Sequence, residues 1–147
     1  MRKTIRARAT IAAPAERLFA CLADYKRADV FIEGLEQLDP VGTQTTGEGA
    51  QFAAVLALGV RTLATTIVIT SFEPCRTITW SSAGDDGQSL TFELLPGQEA
   101  TTVDLAVSYE EPGGITGALV APFVERTVQH RADTALDRLR EQVSPES

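Results

Sequence analysis

The chain has 147 residues, of which 44% are hydrophobic and 22% charged, and its formal net charge is -7. This length and balance predict one folded domain spanning residues 1–147 and argue against a disordered chain. The negative charge would repel phosphate backbones, and no cluster of Lys and Arg offsets it, so nucleic acid is not expected as a partner.

Membrane and export signals are weak in this sequence. The longest apolar runs, such as Phe52–Leu58, fall far below the about 20 residues that a transmembrane helix needs. Arg6 and Arg8 interrupt the apolar stretch that a secretion signal would require, which favours a cytoplasmic protein. Cys21 and Cys75 lack CxxC spacing and are expected to be free thiols.

The first third of the chain predicts one strand and two short helices. Apolar and polar residues alternate over Thr4–Ile11, which is typical of a strand with one dry face. Pro14 suits the first turn of a helix whose apolar stripe runs from Leu18 to Leu22. Asp29–Ile32 adds a further helical turn, which Gly34 ends.

A meander of antiparallel strands follows, because short links rich in Gly and Pro join neighbours and parallel strands require long crossovers. Asp85 and Asp86 are flanked by glycines, so we interpret them as hairpin-turn residues and not as metal ligands. The six predicted strands are Glu36–Val41, Ala50–Leu58, Arg61–Phe72, Arg76–Ser82, Gln88–Leu95 and Thr101–Glu110.

One long amphipathic helix closes the chain, roughly from Gly117 to Val143, with a start expected between Thr116 and Phe123. Pro122 should kink this segment or begin a fresh helix. At 3.6 residues per turn, the apolar face comprises Val120, Val124, Val128, Ala132, Ala135, Leu136, Leu139 and Val143.

A single long helix after a run of strands predicts a sheet wrapped around that helix, with the binding site in the space between them. The bulky residues spread along the fold should in large part line one apolar pocket, beside small residues that leave room for a guest. These bulky residues are Phe19, Tyr25, Phe31, Phe52, Trp80, Phe92, Tyr109 and Phe123.

Several segments, taken in order, carry a resemblance to a known family. They are Ile11–Phe19, Ala23–Tyr25, Ile78–Trp80, Ser108–Glu110 before Pro112–Gly114, and His130-Arg131. The chain resembles the START-like, or Bet v 1-like, helix-grip superfamily (SRPBCC), in particular its bacterial polyketide cyclase/dehydrase and lipid-transport branch. That resemblance implies an α+β helix-grip fold. A seven-stranded antiparallel sheet would wrap around a long C-terminal helix, with two short helices after strand 1 and an elongated apolar cavity.

The chemical inventory excludes several enzyme classes. The single histidine, His130, lies off the apolar helix face, and one histidine does not make a multi-histidine metal site. The sequence has no GxSxG elbow, P-loop or dinucleotide-binding GxGxxG, so no metal or cofactor is expected. Cys21, beside Leu22 on its helix, is interpreted as a buried structural thiol and not as a nucleophile.

Arg131 is the sharpest polar candidate, because it projects into the apolar arc of the last helix, with Thr127 at the edge of that arc. Its guanidinium either reaches solvent or pairs with a strand carboxylate such as Asp104, or it binds an anionic or carbonyl group of a ligand. Tyr109 and Trp80 are either packed core residues or ligand contacts. The candidate ligand-binding set is Tyr25, Phe31, Phe52, Trp80, Phe92, Tyr109, Phe123, Thr127 and Arg131.

Two functional classes follow. The first is a carrier or sensor that binds a hydrophobic small molecule, such as a lipid, an isoprenoid or an aromatic polyketide. The second is a polyketide cyclase-, aromatase- or dehydratase-like enzyme that uses the same cavity, in which holding a flexible chain folded removes much of the entropic barrier. A Tyr or Arg would then polarise a carbonyl. The sequence leaves both classes open, together with the oligomeric state.

Overall fold

The computed structural model describes residues 2–58, 61–83, 88–110 and 114–143, and of residues 58, 61, 83 and 114–124 it describes the backbone alone. The predicted hairpin turn at Asp85-Asp86 lies outside the described residues, as do Pro112 and Gly113 of the family resemblance. The elements are β1 (Arg2–Ile11), α1 (Ala15–Ala23), a 3-10 turn (Tyr25–Arg27), α2 (Ala28–Phe31), β2 (Leu35–Pro40), β3 (Gln51–Leu58), β4 (Arg61–Glu73), β5 (Thr77–Ala83), β6 (Ser89–Pro96), β7 (Thr101–Glu110) and α3 (Gly114–Val143).

The seven strands form one sheet in the order β1-β7-β6-β5-β4-β3-β2, and every pair of neighbours is antiparallel. From β2 to β7 each strand pairs with the next in sequence, as the short connections predict. β1 instead pairs with β7 over its whole length, from Arg2 opposite Glu110 to Ile11 opposite Thr101. The predicted seven-stranded antiparallel sheet with a C-terminal helix is therefore confirmed.

One face of the sheet forms the core together with α3. Buried side chains fall at alternate positions on the strands, such as Ile67 and Ile69 on β4, because successive strand residues point to opposite faces. α3 makes close backbone contacts with β1 and β7 and with both short helices. Its buried residues are Ala132, Ala135, Leu136, Leu139 and Val143, as the 3.6-residue periodicity predicts.

α3 begins at Gly114, two residues before the predicted range, and it runs through Pro122 without a fresh start. A proline removes one backbone hydrogen bond, and good helix formers such as Ala118, Leu119 and Ala121 flank this one. The side chains of Val120 and Val124 lie outside the described residues.

Two α3 side chains also cover the edge of β1. Gln129 donates to the carbonyl of Arg6 at 3.1 Å, and Arg140 donates to the carbonyl of Thr10 at 3.2 Å. These bonds occupy backbone acceptors that a sheet edge would otherwise leave open.

The short helices pack onto the sheet through buried side chains and one hydrogen bond. Leu18, Cys21 and Leu22 on α1 are fully buried, and Pro14 occupies the N-cap position just before the helix. The indole nitrogen of Trp80 on β5 donates to the carbonyl of Leu22 at 3.2 Å. This bond fixes the end of α1 against the sheet and satisfies a buried indole N–H.

Candidate functional site

A cavity of about 240 Å³ lies between the sheet, α3 and the turn that follows α2. Its volume is just below the roughly 300–1,000 Å³ of typical small-molecule sites. Its described apolar lining consists of Phe31, Ile32, Leu56, Leu63, Ile67, Trp80, Leu90, Leu105, Val107, Val128, Ala132 and Ala135. Its described polar lining consists of Glu33, Thr65, Ser81, Ser82, Gln88, Ser89, Tyr109 and Arg131.

The space depends on small residues on the helix side. α3 presents Ala132 and Ala135 to the cavity, whereas Leu136 and Leu139 on the same helix are buried in the core. An alanine side chain ends at Cβ, so the helix and the sheet enclose volume at this level that larger side chains would fill. The cavity therefore exists in part because α3 carries alanines at these two positions.

An aromatic cluster forms the inner wall. Phe31 lies 6.0 Å from Trp80 and 5.3 Å from Phe92, measured between ring centroids, and Phe52 lies 5.5 Å from Trp80. Tyr25 stacks on Phe52 at 5.3 Å. Tilted, edge-to-face and stacked contacts of this kind are favourable for aromatic pairs. A guest in the cavity would meet the two lining members of this cluster, Phe31 and Trp80.

The structure brings four residues of the predicted ligand-binding set together in this lining: Phe31, Trp80, Tyr109 and Arg131. Phe52 and Phe92 are fully buried and stand behind the lining residues as their support.

The other predicted residues lie elsewhere. Tyr25 is half-buried and stacks on Phe52, and Thr127 is exposed on α3. The side chain of Phe123 lies outside the described residues.

Arg131 pairs with Glu33, which follows α2. The guanidinium Nε lies 3.6 Å from the carboxylate Oε2, and both side chains are a little over one third exposed. Glu33 is not among the site residues predicted from the sequence, although its place between a short helix and Gly34 is typical of a loop that borders a site.

The alternative partner for Arg131, Asp104, was wrong. Asp104 lies opposite Arg8 across β1 and β7 and binds it in a bidentate pair, with Nε–Oδ1 at 2.5 Å and Nη2–Oδ2 at 2.8 Å. The hydrogen bond from Arg8 lowers the pKa of the Asp104 carboxyl below its ordinary value. Asp104 is therefore not the partner of Arg131, which pairs with Glu33 and lines the cavity.

The remaining reactive groups do not form a catalytic cluster within the described part of the chain. Cys21 is fully buried, and burial raises the pKa of its thiol, which keeps it protonated and unreactive. Both cysteines are free, and His130 is exposed. Among the described residues, no three His, Cys, Asp or Glu side chains come together as a metal site would require.

The sequence of residues 2–144 matches the family described as polyketide cyclase / dehydrase and lipid transport. The chain belongs to that family. The match spans nearly all of the sequence and agrees with the fold and the cavity. A search of curated proteins finds no match to this chain.

Solved structures share the fold at low sequence identity. A crystal structure from Thermus thermophilus is similar with a TM-score of 0.79 and 23% identity, over 96% of this chain and 97% of that one. The Zhui aromatase/cyclase from a Streptomyces species is similar with a TM-score of 0.79 and 14% identity, over 97% of this chain and 94% of that one. A START superfamily protein from Mycobacterium smegmatis is similar with a TM-score of 0.75 and 13% identity, over 95% of this chain and 96% of that one. The family member described here therefore has the START/Bet v 1 fold.

Within the described residues, none of the helices of this family member combines the length and apolar character needed to cross a membrane.

Proposed function

We propose that this protein binds a hydrophobic small molecule, such as a lipid, an isoprenoid or an aromatic polyketide, and acts as its carrier or sensor. The observation that carries the proposal is the cavity between sheet and α3, with its wall of Phe31, Trp80 and aliphatic side chains. Burying apolar ligand surface there contributes about 25 cal/mol per Å². A bound hydrophobic ligand would transfer its apolar surface from water to a lining that is largely apolar.

A cyclase-, aromatase- or dehydratase-like activity in the same cavity is the second candidate. The observation that favours it is the presence of Tyr109, Arg131 and Glu33 in one lining that is otherwise largely apolar. A guanidinium or phenol would polarise a carbonyl, and the surrounding wall would hold a reactive chain in a folded pose. The similarity to an aromatase/cyclase is one of fold and leaves this activity a proposal.

We propose further that residues 1–147 act as one domain in the cytoplasm and do not bind nucleic acid. Support for the location comes from Cys21 and Cys75, which are both free, as thiols are in reducing compartments. Support against a nucleic-acid partner comes from the net charge of -7.

Filling part of the cavity should weaken binding. Ala135→Leu adds a branched side chain where α3 lines the cavity, whereas Ala53→Leu makes the same change on an exposed position of β3. Farnesol binding, followed by the fluorescence of the chain's one tryptophan, Trp80, should weaken by about tenfold or more in Ala135→Leu, a loss of about 1.4 kcal/mol, because the added side chain takes volume that the ligand needs. Ala53→Leu should bind farnesol as the unchanged protein does.

Native mass spectrometry of gently purified protein would complement the titration, because a co-purified lipid or aromatic compound would identify the ligand class directly. The proposal is overturned if farnesol and 2-acetonaphthone both fail to bind by calorimetry and no small molecule co-purifies. Equal affinity in the two leucine variants would place binding outside this cavity.

A further inference from the structure

Backbone contacts on both sides fix the position of Glu33. The amide of Ile32 donates to the carbonyl of Ala28 at 2.8 Å, which ends α2, and the amide of Leu35 donates to Ile32 at 3.3 Å. Gly34 follows with a φ of +83°, and its carbonyl accepts from the amide of Ala57 on β3 at 2.7 Å. Backbone hydrogen bonds on both sides of Glu33 therefore fix the turn that places its side chain at the cavity wall.

The contact between Glu33 and Arg131 leaves hydrogen-bonding capacity unused. At 3.6 Å the Nε–Oε2 separation suits an ion pair but exceeds the length of a hydrogen bond. The Oε2 atom is buried and has no hydrogen-bond partner among the described residues. A carboxylate oxygen without a donor is costly, and Glu33 lines the cavity, so the carboxylate would gain from an N–H or O–H group that enters there and to which the side chain can turn.

The pair also decides which charge the cavity accepts. Glu33 already balances the positive charge of Arg131, and both line the cavity. A ligand carboxylate would be attracted by the guanidinium and repelled by Glu33 at similar range, while it lost its own hydration. A neutral polar group loses less hydration and meets no repulsion. The surroundings of Arg131 thus disfavour an anionic guest.

We propose that Glu33 and Arg131 together form a recognition site for a neutral ligand end that carries a donor beside an acceptor, such as a carboxamide or a hydroxy-ketone. The ligand donor binds the carboxylate of Glu33, and the ligand carbonyl accepts from the guanidinium of Arg131. The inference rests on the proposed function and narrows it, because it excludes free fatty acids and other carboxylates as preferred guests.

Three probes that share one ring system test this selection by isothermal titration calorimetry at pH 7.5. They are 2-naphthamide, with donor and acceptor; 2-acetonaphthone, with the acceptor alone; and 2-naphthoate, which is the anionic isostere of the amide. The unchanged protein should bind the amide about tenfold or more tightly than the carboxylate, the size expected when one like charge acts at close range. The ketone should fall between them.

Glu33→Gln removes the negative charge and keeps the side-chain shape, so it should bring the amide-to-carboxylate preference down to about threefold or less. Glu36→Gln deletes the same charge at an exposed position of β2 and should keep the full preference. Circular dichroism melting of both variants checks that they fold.

The selection is overturned if the unchanged protein binds 2-naphthoate as tightly as 2-naphthamide, or if Glu33→Gln keeps the full preference. Either result leaves the proposed function intact, because the probes still bind. If none of the three probes binds while farnesol does, the selection is overturned and the proposed function stands. If farnesol also fails to bind and no small molecule co-purifies, both are overturned.

Discussion

Two arginine–carboxylate pairs in this protein differ in geometry and therefore in role. Arg8 and Asp104 meet through two hydrogen bonds, at 2.5 and 2.8 Å, and link neighbouring strands. Arg131 and Glu33 meet at 3.6 Å, which leaves one buried oxygen without a hydrogen bond within the described structure. The first pair uses both carboxylate oxygens to hold two strands together. The second places a carboxylate with unused hydrogen-bonding capacity in the lining of the cavity.

The Arg8–Asp104 pair should make stability depend on acid pH. The pKa of Asp104 is lowered by the hydrogen bond from Arg8, so the folded protein binds a proton there less readily than the unfolded chain. The pair's contribution to the free energy of unfolding is full above the unfolded pKa of about 3.9 and falls as pH drops through the lowered value.

Asp104→Asn should thus be less stable than the unchanged protein near pH 6, and the difference should shrink towards pH 2. Urea denaturation at a series of pH values measures it. The effect should be modest, because water screens an exposed pair. In a chain that already carries Arg8→Met, which removes the partner of Asp104, Asp104→Asn should lose most of this pH-dependent difference. A difference that stays constant from pH 6 to pH 2 would contradict the prediction.

At the scale of elements, local periodicity was visible in the sequence and distant contacts were not. β7 has its predicted bounds, Thr101–Glu110, because alternation within one strand is a property of neighbouring residues. The partner of Asp104 was mistaken because it depends on the register of β1 against β7, where Arg8 faces Asp104. Register between strands so far apart in sequence leaves no local signal.

The candidate site shows the same division. Strand parity places Phe52, Trp80 and Phe92 on the inner face, where all three are buried, but parity does not say how deep each lies. Phe52 and Phe92 support the wall that Trp80 presents to the cavity. The hydrogen bond between Gly34 and Ala57 on β3 holds the turn that places Glu33 at the cavity. No pattern within residues 28–35 predicts this contact with β3.

The turn between α2 and β2 requires glycine at position 34. Gly34 has a φ of +83°, and a Cβ there would lie 2.5 Å from the carbonyl oxygen of Ala57. Gly42 has a φ of +93° with nothing within 4 Å of the same added atom. The two positions share the backbone strain and differ in the steric clash, which makes them a matched pair.

Gly34→Ala should lower the free energy of unfolding by more than Gly42→Ala does. Positive φ alone costs about 1–3 kcal/mol for a residue with a side chain, and the clash with fixed backbone adds to it. Urea denaturation followed by circular dichroism measures both variants. Gly34→Ala should also weaken 2-naphthamide binding, since the turn that carries Glu33 must move. Equal destabilisation by the two substitutions would contradict the prediction, because it would mean that β3 moves away from the added Cβ at no cost in the free energy of unfolding.

At the scale of the whole molecule, the sheet joins its first strand to its last. Pairing β1 with β7 closes a loop that contains every other strand, whereas each pair from β2 to β7 joins neighbours in sequence. The entropy of loop closure must be overcome before distant contacts give any return. We therefore expect the meander to form early in folding and β1 to join after the transition state.

Two substitutions separate these stages. Thr101→Val removes a hydroxyl on β7 that donates to the carbonyl of Ala13 at 2.8 Å, and Ile69→Val removes a buried methylene from β4 within the meander. Each should cost roughly 1 kcal/mol. In stopped-flow experiments that follow Trp80 fluorescence, Thr101→Val should mainly speed unfolding, and Ile69→Val should mainly slow folding. The reverse assignment would mean that β1 and β7 meet in the nucleus.

The same closure sets a timetable for a chain made from its N-terminus. β1 is synthesised first, yet its partner strand exists only once residues 101–110 have been made, and α3, whose side chains cover the edge of β1, follows later still. Throughout that interval β1 presents unpaired backbone groups to any other strand nearby. Nascent chains on neighbouring ribosomes would therefore compete for β1 until α3 emerges, so slower synthesis should lower the yield of folded protein, and a chaperone that shields the first strand should restore it.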